Sequence, residues 1–166
     1  RKKPTEEQMR LVNAKNKAMR CRHKMLEYLD QGDCFGDWTY AITNRPLDMK
    51  AALKDFQKAI RIVRDEYHKR GYELFWFRNI ERGTKGAWHI HFVVNEIGDT
   101  ASIMKKAWNK GGTYTVAIKN EPKVYDEDFT KLAEYMTKDE HTREEKKDGT
   151  PGKPRIREAS YNTSRN

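Results

Sequence analysis

The run Trp88-His89-Ile90-His91-Phe92-Val93-Val94 alternates large apolar side chains with polar ones, and an extended strand sorts such a run onto two faces. Trp88, Ile90, Phe92 and Val94 fall on one face. His89 and His91 fall on the other, roughly 7 Å apart along the strand. Residues 73–81 read as a second strand, and Gly83 and Gly86 mark a hairpin turn between the two. Register follows from burial. Covering Leu74, Trp76 and Ile80 together with Ile90 and Phe92 places the even-numbered residues inward, and a slip of one residue would expose the whole set. Phe75, Phe77, Asn79, Glu81, His89, His91 and Val93 then share the second face, with Glu81 at the end of its strand near His89.

The rest of the chain supplies the partners of this hairpin. Thr5 and Gln8 fit a capping box that opens a helix over about 5–30. Met9, Val12, Met19 and Leu26 form its apolar stripe, widened by Leu11, Ala18, Met25 and Leu29. Gly32 and Gly36 read as breakers, and Trp38, Tyr40 and Ile42 alternate along a strand at 37–43. A helix runs from Asp48 to Gly71, a short one covers 102–109, and a strand carries Tyr114, Val116 and Ile118. The last helix spans 126–138, with Phe129, Leu132, Ala133 and Met136 on its core face. From 139 the composition turns to Glu, Lys, Gly, Pro and Ser without periodicity, which reads as a mobile loop and a basic, partly extended tail. Strand, helix, strand, strand, helix, strand is the split β-α-β order. The expected class is therefore α+β, ferredoxin-like: an antiparallel sheet of four to five strands with helices on one face, a site on the other, and an additional N-terminal helix. The expected segments are 1–34, 35–140 and 141–166.

A chain of 166 residues fits one domain with a real core, and its net charge of +9 favours a polyanionic partner such as nucleic acid. Cys21 and Cys34 lack metal-ligand spacing, so the chain reads as reduced and cytoplasmic. No apolar run reaches the roughly 18 residues a membrane span needs.

Two imidazoles and the Glu81 carboxylate on one face suit a divalent ion with open coordination positions. Zinc or an iron facial triad would use similar ligands, while mixed nitrogen and oxygen ligation beside a polyanion favours Mg2+ or Mn2+. Tyr135 and Lys138 are three apart and Lys131 precedes the tyrosine by four, so all three project from one helical face. A phenol with a free pKa of about 10 is a weak nucleophile unless a cation and a polarised electrophile assist it. Arg20 and Lys24 are candidate phosphate contacts on the first helix, and Trp38 and Tyr40 are candidate platforms for stacked bases.

His89-Ile90-His91, Glu81 eight residues earlier and Tyr135-Met136-Thr137-Lys138 together resemble the HUH endonucleases, in particular the single-tyrosine rolling-circle replication initiators of small plasmids, phages and single-stranded DNA viruses. Thr39-Tyr40-Ala41-Ile42-Thr43 is similar to the first motif of that family, and the resemblance spans about 37–138. It implies a divalent metal held by His89, His91 and Glu81, attack by Tyr135 on a phosphate of single-stranded origin DNA, and a 5′-phosphotyrosyl enzyme with a free 3′-OH. Lys138 would balance charge near that phosphate or position the metal. Phe92-Val93 offers no further histidine of the relaxase type, and Asp139 stands where two-tyrosine initiators carry their second tyrosine. A single-tyrosine HUH transposase shares most of these features, although its helix usually carries a glutamine ligand. A non-catalytic module binding single-stranded nucleic acid on an open sheet shares the topology. An iron oxygenase would share the ligand types. The sequence contains no phosphate-loop signature, so unwinding would require a helicase as partner.

Overall fold

The computed structural model describes residues 2–138, 156–157 and 162–163. Its elements are α1 (Glu6–Tyr28), β1 (Cys34–Thr39), α2 (Met49–Lys69), β2 (Trp76–Arg82), β3 (Trp88–Val94), α3 (Thr100–Ala107), β4 (Thr113–Ala117), α4 (Thr130–Met136), and the short strands β5 (Ile156–Arg157) and β6 (Asn162–Thr163). The four long strands form an antiparallel sheet in the order β4-β1-β3-β2, and β5 and β6 both pair with β2. That order is the ferredoxin-like one, with β3 inserted between the two strands that α2 connects. The loop expected over 139–154 lies outside the described residues.

The hairpin has the register that hydrophobic burial demands: Ile80 faces Ile90, Glu81 faces His89 and Asn79 faces His91. The even face carries the larger core. Trp38, Trp76, Ile80, Ile90, Phe92 and Val94 pack there beneath α2 and α3, which contribute Phe56, Ile60, Val63, Ile103 and Met104. The odd face carries a second core, where α1 and α4 lay Cys21, Met25, Leu29, Leu132 and Met136 over Phe35, Phe77 and Val93. Helices thus cover one face fully and one end of the other. The end bearing the histidines is left open. Burial pushes the thiols of both Cys21 and Cys34 up to about 12, so neither ionises near neutral pH.

β1 begins three residues earlier than its alternation indicates, and Gly36 is the reason. A Cβ there would stand 1.9 Å from the Tyr114 carbonyl oxygen and 2.8 Å from the Phe92 ring. Gly36 is therefore not a breaker but the residue that lets β1, β3 and β4 come together. After Thr39 the chain leaves the sheet, and the backbone amide of Ala41 donates to Lys110 O at 2.8 Å.

Two of the sequence expectations fail at this point. Trp38 and Tyr40 are not base-stacking platforms, because they lie under α2 and α3, 0% and 8% exposed. The Trp38 indole stacks on Trp108 with centroids 5.0 Å apart and donates to Met104 O at 3.0 Å. Tyr40 donates its hydroxyl to Asp55 Oδ2 at 2.9 Å. Trp38→Ala should therefore cost about 3–5 kcal/mol of folding stability, seen in a thermal melt as a fall of roughly 8–15 °C. An unchanged melt accompanied by weaker single-strand binding would return Trp38 to the DNA surface.

Candidate active site

β3 projects His89 and His91 onto the open end of the second face, and their rings lie parallel, 5.7 Å between centroids and 6° apart in plane. Each imidazole meets a carboxylate from a neighbouring strand. His91 Nε2 stands 2.7 Å from Glu81 Oε1, and both side chains are more than nine-tenths buried. His89 Nδ1 stands 2.9 Å from Asp37 Oδ2 at the more exposed edge. The pairings follow from register. Glu81 is directly opposite His89 on β2, and Asp37 is directly opposite His91 on β1, so each acid reaches diagonally to the other ring.

Tyr135 reaches the same place from α4. Its ring meets His91 edge-on at 5.2 Å and Phe35 edge-on at 5.6 Å. α4 is only seven residues long, so tertiary contacts rather than propensity hold it. At its start the Asp126 carboxylate accepts from the amides of Thr130 at 3.1 Å and Lys131 at 2.9 Å. Phe129 adopts a left-handed backbone, φ 63°, which buries its ring in the second core. These contacts replace the first turn that the sequence periodicity implies for 126–129. From α1, Arg22 Nε donates to Asp128 O at 2.7 Å.

Glu81, His89, His91 and Tyr135 thus line one open cleft of about 400 Å³. Asp37, Lys85 and Lys123 line it too, and sequence reasoning assigned none of these three to the site. Lys85 sits in the hairpin turn, whereas Asp37 and Lys123 arrive from β1 and from the loop before α4. Lys138 holds its Nζ 5.3 Å from the Tyr135 ring centroid but lines a different groove, between α1 and α4. Lys131 faces solvent on α4, Arg20 faces solvent on α1 and Lys24 is half-buried there. None of these three lines the cleft.

Among the described residues, no three His, Cys, Asp or Glu side chains stand together as a ready-made metal group. His91 and Glu81 instead satisfy each other directly. The donor set nevertheless has the chemistry a divalent ion requires. Two adjacent donors on an octahedral Mg2+ lie about 3 Å apart, slightly more than the 2.7 Å between His91 Nε2 and Glu81 Oε1. If Asp37 accepts a proton from His89 Nδ1, the lone pair is left on His89 Nε2, the arrangement carboxylates impose on metal-ligating histidines.

A ferredoxin-like sheet with a histidine and tyrosine cleft at its open end is the architecture of a replication-associated protein. The model of the replication-associated protein family of the ORF2 type matches residues 33–140, and the chain belongs to that family. No curated protein and no solved structure matches the chain. Among the described residues, no helix is long and apolar enough to cross a membrane.

Proposed function

We propose that this protein nicks and rejoins single-stranded DNA at a replication origin, starting rolling-circle replication through a 5′-phosphotyrosyl intermediate. The observation that carries the reading is the edge-on seat of Tyr135 against His91, in one cleft with His89 and Glu81. His89, His91 and Glu81 would hold a divalent ion, Mg2+ or Mn2+, which when bound supplies Lewis-acid polarisation of the scissile phosphate.

The remaining chemistry belongs to the chain. The Tyr135 oxygen attacks phosphorus as the bond to the 3′-oxygen breaks. The phenol gives up one proton and the departing 3′-oxygen gains one, so the step is neutral overall. One phosphodiester replaces another, which is why the 3′-OH can attack the tyrosyl ester and restore the strand. Asp37 orients the His89 ring. Lys123 and Lys85 place positive charge along the cleft for the phosphate oxygens, and Lys138 adds charge behind the Tyr135 ring. Duplex unwinding falls to a helicase partner.

Incubation with Mn2+ and a pool of single-stranded oligonucleotides should produce a covalent protein–DNA adduct that resists denaturing electrophoresis. No adduct on any single strand overturns the reading and leaves a non-catalytic DNA-binding module. Lys123→Ala should slow single-turnover adduct formation by roughly 10–100-fold. An unchanged rate would remove Lys123 from the phosphate site.

A further inference from the structure

α1 begins outside the residues that match the family model, yet it packs on the helix that carries Tyr135. Between α1 and α4 runs an open groove of about 540 Å³, within the roughly 300–1,000 Å³ typical of ligand sites. Its lining joins two chemistries. Ala14, Ala18 and Met19 of α1 and Ala133 of α4 are apolar, and Met19 is 42% exposed. Lys15, Arg22 and Lys138 supply three cations against the single carboxylate of Glu134.

We infer that this groove carries a flank of the single-stranded DNA whose phosphate is engaged at Tyr135, an inference that rests on the nickase reading. Three cations suit a phosphate backbone. The apolar lining separates single strand from duplex, since only an unpaired strand offers base faces to bury. Position supports the same occupant. Tyr135 lines the histidine cleft, Lys138 lines the groove, and the Lys138 Nζ lies 5.3 Å from the Tyr135 ring. A strand leaving the cleft along α4 therefore enters the groove next. The positive charge of α1 then acts as a guide for DNA beyond the cleavage point.

The test measures affinity for a 20-nucleotide oligothymidylate over a range of salt concentrations. It uses the wild type, Lys15→Glu, Met19→Asp and a control, Lys58→Glu, whose exposed residue lies on α2 across the sheet and changes the net charge as Lys15→Glu does. Adduct formation is assayed in parallel. Lys15→Glu and Met19→Asp should each weaken binding about tenfold, and Lys15→Glu should flatten the slope of log affinity on log salt by about 0.7. Lys58→Glu should stay within twofold. Equal binding by all four proteins overturns the groove even if the wild type forms its adduct, so the nickase reading survives that failure. Weakened binding without any adduct upholds the groove and sinks the nickase. An equal loss on a 20-base-pair duplex overturns the single-strand assignment. A dimer broken by Met19→Asp, with DNA binding intact, overturns it in favour of a second copy of this chain.

Discussion

Tyr135→Phe should abolish the covalent adduct, with a fall in nicking of at least about 10³-fold, while melting temperature and single-strand affinity stay near wild type. The two effects separate because the ring and the hydroxyl have different jobs. The ring packs edge-on against His91 and Phe35, and phenylalanine keeps both contacts. Only the nucleophilic oxygen goes. Denaturing gels with labelled oligonucleotide read the adduct, and a thermal melt reads the fold. An adduct that survives the substitution would assign the nucleophile to another residue and would undo the proposed chemistry.

Removal of the divalent ion should be equally severe. Chelation should silence the wild type by about 10²–10³-fold, and added Mn2+ should restore it. His91→Ala should give the silent state permanently, with Mn2+ binding by calorimetry weakened at least about tenfold. The same substitution leaves Glu81 buried without its imidazole partner, at a cost of about 1–3 kcal/mol. Stability alone therefore does not distinguish a ligand from a structural pair. The discriminating result is rescue: metal restores the stripped wild type and fails to restore the variant. Full activity in the presence of chelator would reduce the histidine cluster to a structural network.

The hairpin was the most legible part of the fold. Two alternating runs separated by glycines leave a single register that buries Leu74, Trp76, Ile80, Ile90 and Phe92 together, and this alone places Glu81 opposite His89. The core face of the last helix was equally plain, because Leu132, Ala133 and Met136 recur at helical spacing. What could not be read were pairings between distant segments. Whether Trp38 faces helices or solvent depends on its alignment with Ile90, which no local pattern fixes. The same distance hid Asp37, which meets His89 across 52 residues of sequence. Lys123 stands in a loop with no periodicity at all, and only tertiary folding brings it beside Tyr135. The apolar stripe of the first helix misled in another way. Met9, Leu11 and Val12 remain more than half exposed, because only the part of α1 from Cys21 onward reaches the body of the protein.

The dependence of α4 on α1 bears on how this protein can be divided. A fragment trimmed to the family boundary at residue 33 would discard Cys21, Met25 and Leu29 from the second core, along with the Arg22 tie to Asp128. The tyrosine would then ride on two turns of helix with one flank stripped bare. The smallest piece of this chain able to aim its phenol is therefore longer than the stretch by which its kinship is recognised.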